Sequence, residues 1–259
     1  MSFLFIKTLV LPAALLAGTS SIVRVYNDDF ARSQKQNFRN NNVRVVTGWT
    51  YVYSESGTPT KKGVKSSEER FDQKGNRTEE MWYDENGASF LESSYTYNDE
   101  GVELKNIGVQ MHKPFYNNWL YEIKDTTNEL IKFHSQNKIN KEKWVYSFDA
   151  AGNKTQEKYF DETGLLTDRC VFNYDSKGRL DEKIEFDAYD NLYRKWEYSY
   201  DENGNNTGEI LYNNDSEVLK QYILKYDEKG NLTTRFEMNA KGVATQMTVF
   251  LYEFYTASK

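Results

Sequence analysis

Five aromatic residues stand where flat rings could stack on a ligand: Trp144, Tyr146, Trp196, Tyr198 and Tyr222. Trp144, Cys170, Trp196 and Tyr222 follow one another at intervals of 26 residues, and Tyr146, Phe172, Tyr198 and Leu224 repeat that interval two residues on. Exposed as a column, such rings would bind sugars or peptides, because large exposed aromatic patches mark binding surfaces. They are equally the material of a core. Mid-strand acids such as Asp168 and Glu182 raise a second chemistry. Glycoside hydrolysis needs two carboxyls about 5–10 Å apart in an open cleft. Pairing across the turn after Phe186 instead makes Glu182 and Arg194 diagonal neighbours, which predicts a salt bridge.

Other chemistries lack their residues. The chain holds two histidines, His112 and His134, and one cysteine, Cys170. That set builds no Cys/His metal site and no internal disulfide. Cys170 reads as a small buried hydrophobe. No Gly-x-Ser-x-Gly elbow or Gly-rich phosphate loop occurs. Turns such as Asp201-Glu202-Asn203 offer one or two carboxylates each, against the roughly six to eight oxygens calcium takes. No metal, cofactor or catalytic residue is expected, and the chain reads as non-enzymatic. A net charge of −6 carries no electrostatic footprint for nucleic acid.

The elements that would position these rings are marked by a recurring turn. An aromatic residue precedes Asp, two variable residues, Gly and often Asn. The instances are Phe71-Asp72 to Asn76, Phe148-Asp149 to Asn153, Tyr174-Asp175 to Gly178, Tyr200-Asp201 to Asn205 and Tyr226-Asp227 to Asn231. A weaker series lies between them at Tyr83, His134, Phe160, Phe186, Tyr212 and Met238. Asp suits the first position of a type I turn and Gly the left-handed position that closes it. The intervening stretches, rich in Tyr, Phe, Val, Ile, Thr and Trp, have strand length. The fold class is therefore all-β: an antiparallel meander of tandem hairpins, about 14–16 strands in a 26-residue double unit. A sheet that long curls, splits or closes, so a rolled or spiralling sheet, or two packed sheets, is expected. Residue parity then predicts one aromatic face of even positions and one wet face of odd positions. Asp168, Glu182, Arg194 and Lys220 on the even face argue against lipid around a transmembrane barrel.

The N-terminus differs. Residues 1–20 carry Lys7, an apolar run from Leu9 to Leu16 and then small residues, the pattern of an export signal. Residues 21–42 read as a linker, 43–105 as an N-terminal β-repeat lobe, 106–120 as an irregular insertion and 121–259 as the regular array. The expected location is periplasmic or at the cell surface, not transmembrane in the mature form.

Three turns carry a family resemblance: Tyr174-Asp175-Ser176-Lys177-Gly178-Arg179-Leu180, Tyr200-Asp201-Glu202-Asn203-Gly204-Asn205 and Tyr226-Asp227-Glu228-Lys229-Gly230-Asn231-Leu232. Over about residues 68–104 and 145–255 the chain resembles the YD-repeat proteins, relatives of the Rhs elements. It is also similar to small exported repeat proteins of Bacteroidetes type, a likeness that implies no activity. The YD resemblance implies spiralling β-sheet in exported or surface proteins that bind carbohydrate or wrap a toxin domain. The chain departs from it in its 26-residue double unit and small size. The expectation is a binding or structural module at the bacterial envelope, with a glycan or an envelope protein as partner. Its alternatives are a carbohydrate-binding protein using Trp144, Tyr146, Trp196, Tyr198 and Tyr222, and a glycoside hydrolase-like enzyme. The sequence names no oligomeric state.

Overall fold

The computed structural model describes residues 29–54, 57–60, 62–99, 101–124, 129–134 and 142–256. Residues 1–20, which carry the export pattern, lie outside the described residues. Helix α1 (Asp29–Asn40) leads into β1 (Val43–Val52), β2 (Val64–Phe71), β3 (Arg77–Tyr83), β4 (Ser89–Tyr97), β5 (Glu103–Gln110), β6 (Lys113–Lys124), β7 (Glu129–His134) and β8 (Lys143–Phe148). The meander continues through β9 (Lys154–Phe160), β10 (Leu166–Tyr174), β11 (Leu180–Asp187), β12 (Leu192–Tyr200), β13 (Asn206–Tyr212), β14 (Val218–Tyr226), β15 (Leu232–Asn239) and β16 (Ala244–Phe254).

The turns form as their chemistry dictates. In the turn after Tyr174, Gly178 N–H donates to the Asp175 carbonyl and Asp175 N–H to the Arg179 carbonyl, with Gly178 at φ 75°. This is a type I turn closed by a left-handed residue. The Asp carboxylate completes it: Asp227 accepts from the N–H groups of Lys229 and Asn231 and from the Asn231 side-chain amide. The leading tyrosine has its own task. Tyr97, Tyr174, Tyr200 and Tyr252 each donate a hydroxyl hydrogen bond to the carbonyl 20 residues earlier, at Arg77, Lys154, Leu180 and Leu232, over 2.8–2.9 Å. Each tyrosine thus ties its strand to the residue that leaves the previous turn of the same series. These turns gather at one end of the sheet, the tyrosine end.

All neighbouring strands pair antiparallel, and β16 returns to pair with β1, with Val46 opposite Tyr252 and Thr50 opposite Thr248. Among the described residues the sheet is a closed barrel of sixteen strands. The expected rolling therefore runs to closure, which leaves no open edge. Residues from 43–105 and from 121–256 share this one ring. The segment 106–120, read as an irregular insertion, is β5 and β6 joined by a two-residue turn, with Met111 at φ 47° and His112 at φ 64°. Two left-handed central residues make the tight turn whose twist matches a hairpin, so no Asp-Gly signal was needed there.

Face parity is the main correction. Each turn is followed by a bulge that skips one residue: Thr155, Thr167, Asp181, Tyr193, Thr207, Leu219, Thr233 and Thr245 in the C-terminal half. At four of these bulges the skipped threonine holds the turn, as Thr155, Thr167, Thr233 and Thr245 donate to the carbonyl eight residues back. One extra residue reverses which parity faces which side. Even positions of β8, β10, β12, β14 and β16 share one face with odd positions of β9, β11, β13 and β15. The predicted Glu182–Arg194 bridge fails for this reason. Glu182 lies opposite Glu197 and reaches Lys195 at 3.7 Å, while Arg194 lies opposite Glu185 on the other face.

Helix α1 identifies the inner face and places residues 29–40 of the segment read as a linker in a helix. It crosses the tyrosine end like a chord. Lys35 reaches the Gly101 carbonyl on one side, and Asn37 and Asn41 reach the carbonyls of Gly230 and Lys229 on the other. Phe38, 3% exposed, packs with Val43, Val46, Phe71, Phe250 and Tyr252, its ring centroid 4.6 Å from that of Phe71. Among the described side chains, Phe38 is the apolar anchor and Lys35, Asn37 and Asn41 the polar ones, too few to show as a helical stripe in sequence. A second small cluster joins Leu130 and Phe148 with Tyr121 and Tyr146.

Candidate functional site

The bulges give the inner wall alternating stripes. On β8, β10, β12 and β14 the inward residues include Trp144 and Tyr146, then Asp168, Cys170 and Phe172, then Arg194, Trp196 and Tyr198, then Lys220, Tyr222 and Leu224. On the strands between, the inward residues include Glu157 and Tyr159, Lys183 and Glu185, Glu209 and Leu211, and Arg235 and Glu237. The five ring residues chosen from sequence therefore share the inner wall. They are neither a free outer platform nor a sealed core: Tyr222 is 8% exposed, and the other four are half-buried. Their rings have protein neighbours. Trp144 stacks on Tyr159 with centroids 4.9 Å apart, and Trp196 lies parallel to Tyr222 at 6.1 Å. Arg235 covers the Tyr222 ring at 4.1 Å, and Lys154 lies over Phe172 at 4.3 Å.

Sequence reading missed the charged stripe. Glu157, Lys183, Glu209 and Arg235 stand 26 residues apart, in step with the aromatic column and alternating in sign. The signal was there, but odd positions were assigned to the wet outer face. Within the stripe Lys183 binds Glu185 at 2.7 Å, Lys220 binds Glu237 at 2.6 Å, and Arg235 approaches Glu209 at 4.0 Å. Burial pushes the Glu209 carboxyl above its ordinary range, against the pull of Arg235. Burial also pushes the Cys170 thiol up to about 11, so at neutral pH it is a protonated, weak nucleophile. On the opposite wall Arg77 sits between Glu69 and Glu80 at 3.1 and 3.2 Å.

Water reaches this wall, since the inward side chains of Lys220 and Arg235 remain 47% and 42% exposed. Sixteen strands spaced about 4.8 Å and tilted roughly 40° enclose a perimeter of about 100 Å, and barrels of this strand number leave an aqueous interior. Among the described residues no three His, Cys, Asp or Glu side chains converge as a metal site. His134 lies in β7 opposite Trp119 on β6, and His112 in the β5–β6 turn. A cavity of about 340 Å³ opens at the tyrosine end between α1 and the turns leading into β11, β13 and β15. It touches Gln34, Phe38, Arg179, Tyr200, Asn205 and Tyr226, and none of the five ring residues.

No family model and no curated protein matches this chain. Among solved structures it is similar to a porin-like protein from Bacteroides vulgatus, at 12% identity and a TM-score of 0.40, covering 82% of this chain and 98% of that one. A putative outer membrane lipoprotein-sorting protein domain from Vibrio parahaemolyticus matches at 14% identity and a TM-score of 0.32, covering 89% and 93%. TcdB2-TccC3 without its hypervariable C-terminal region matches at 11% identity and a TM-score of 0.22, covering 74% of this chain and 15% of that one.

Proposed function

We propose that the protein is a non-enzymatic, exported binding module of the bacterial envelope that takes its ligand against the inner wall of the barrel. The observation that carries this is the striped lumen, in which half-buried aromatic faces alternate with ion-paired polar side chains inside a closed, wet ring. Ring faces and charged edges together suit an amphipathic ligand such as a sugar chain, which is the carbohydrate-binding reading. Lys183 with Glu185, Lys220 with Glu237, and Arg77 with Glu69 and Glu80 are paired on this wall rather than poised as an acid–base couple, which favours binding over hydrolysis. Export is supported by the apolar run at Leu9–Leu16.

The outer wall favours water over lipid. Of the charges first weighed against a membrane, Asp168, Arg194 and Lys220 point inward. The outer wall carries others, among them Lys158, Arg169, Lys195 and Glu197. A charge facing lipid at mid-membrane costs about 2–4 kcal/mol. The described helix is not long and apolar enough to cross a membrane.

Tryptophan emission tests the proposal in a variant with Trp49, Trp82 and Trp119 replaced by Phe, leaving Trp144 and Trp196. Acrylamide is expected to quench this emission, and a bound glycan to protect it. Blue-shifted emission that neither acrylamide nor glycans alter would make the interior a packed core and leave a structural scaffold.

A further inference from the structure

We infer that the cavity at the tyrosine end is a separate ligand site, built for a neutral, polyhydroxylated ring of one or two sugar units. This deepens the binding-module reading by naming a place and a chemistry. The argument starts from a turn asparagine whose partner is known. In the turn before β15, the Asn231 side-chain oxygen accepts hydrogen bonds at 3.2 Å from the amides of Asn37 and Asn41 on α1. In the turn before β13, Asn205 occupies the same position and gives its amide to Asp201 in the same way. Its side-chain oxygen receives no donor among the described residues, and Asn205 lines the cavity. Helix α1 satisfies one turn of the series and stops short of the next.

A second group points the same way. Tyr97, Tyr174, Tyr200 and Tyr252 spend their hydroxyls on the carbonyl 20 residues back. Tyr226 holds the same place in the series, makes no hydrogen bond among the described residues, and lines the cavity. Gln34, on the exposed side of α1, adds an amide that has no hydrogen-bond partner among the described residues. The site thus offers one acceptor, one hydroxyl that can give or take, and one amide. A ligand must bring both donors and acceptors to match them.

Charge and shape narrow the class. The single ionic group among these six contacts, Arg179, is neutralised by Asp175 at 2.7 Å and lies over the Tyr200 ring at 4.7 Å. A charged ligand would find no free counter-ion. Tyr200, Leu180 and Leu232 give apolar surface for the face of a ring. The volume of about 340 Å³ sits at the small end of ligand sites.

Calorimetric titration of the full chain with glucose, N-acetylglucosamine and maltose tests the site. At least one sugar is expected to bind. Tyr226→Phe removes only a hydroxyl, and the series tolerates Phe at Phe71 and Phe148, so the variant folds. It is expected to weaken binding about fivefold, the loss of one hydrogen bond. Gln34→Trp, on the helix surface, is expected to block the cavity, and Tyr189→Ala, on an exposed turn outside both sites, to change nothing. Trp196→Ala reports separately on binding in the lumen. If no sugar binds, the inference falls, while acrylamide access to Trp144 and Trp196 still judges the lumen. If a sugar binds and both cavity variants match the wild type while Trp196→Ala abolishes binding, the ligand sits in the lumen. The inference then fails and the inner-wall reading stands.

Discussion

At the residue scale, the repeated aspartate is the most consequential side chain in the molecule. It organises a hairpin by accepting backbone and side-chain donors at once, and at Asp84, Asp175, Asp187 and Asp201 the donors hold the carboxyl below the usual range. For Asp84 and Asp175 the chief cause is the N–H four residues on, at Ala88 and Arg179. For Asp187 and Asp201 it is the side-chain amide of Asn191 and Asn205. A depressed folded-state pKa gives stability that is complete above the unfolded carboxylate value of about 3.9 and is lost as pH falls through the folded value. In thermal melts the aspartates are therefore expected to contribute a melting temperature that is level from about pH 7 to 5 and drops steeply below about pH 4, while the raised Glu209 acts in the opposite sense and loses stability as pH rises. A melting temperature that peaked near pH 4 would contradict this origin. Two turns lack the glycine and place Asp190 and Ser216 at φ 63° and 62° instead. A left-handed L-residue costs about 1 kcal/mol. Asp190 holds Arg169 at 2.8 Å in compensation, and Ser216 has no side-chain hydrogen bond among the described residues. Ser216→Gly is accordingly expected to raise stability by up to about 1 kcal/mol in urea titration, less the chain entropy glycine adds to the unfolded state.

At the element scale, α1 separates what the sequence shows from what it hides. Gly75 and Gly164 both close turns at positive φ, 78° and 84°. A β-carbon on Gly164 meets nothing within 4 Å, whereas one on Gly75 would stand 2.4 Å from the Lys35 carbonyl oxygen of α1. Gly164→Ala should then cost only the backbone strain, about 1 kcal/mol. Gly75→Ala should cost that and also lift the helix, visible as faster proteolysis within residues 29–42. Equal losses with unchanged proteolysis would mean that α1 is not seated on that turn. The turns themselves were legible because Asp and Gly have fixed mechanical tasks at fixed offsets, and the 26-residue step could be read directly. The bulges were not, because the skipped residue is a threonine at some positions and Asp181, Tyr193 or Leu219 at others, so no single residue type marks it. One unread residue per hairpin moved Ile184 and Phe186 from the supposed core to the outer wall and Glu185 to the inner one. The aromatic column survived this error because its members lie two strands apart, where two reversals cancel. The mouth cavity stayed hidden because half of it comes from α1, whose docking rests on Phe38 and a few amides.

At the scale of the whole molecule, everything proposed depends on closure, since a striped wall is a lumen only if the ring is complete. The seam is β1 against β16, the pairing of widest sequence separation in the sheet. Thr50 and Thr248 face each other there, their hydroxyl oxygens 3.0 Å apart, and Ser66 joins them by donation from Thr50 at 2.8 Å. Directly opposed residues place their β-carbons about 4.5–5.5 Å apart, close to what a disulfide spans. In a Cys170→Ser background, Thr50→Cys with Thr248→Cys is expected to form an intramolecular disulfide on mild oxidation, seen as a two-proton mass loss and faster migration in a non-reducing gel. The cross-link closes a loop of almost 200 residues. In the chain-entropy model such a loop stabilises by about 5 kcal/mol, an upper figure from which strain subtracts. The oxidised protein should melt well above its reduced form. A register control is available at the same seam: Val249→Cys in place of Thr248→Cys lies opposite Trp49 and points to the other wall, so it should cross-link poorly with Thr50→Cys. Formation of both disulfides alike, or of neither, would mean that β1 and β16 are not locked in this register and that the sheet is open in solution.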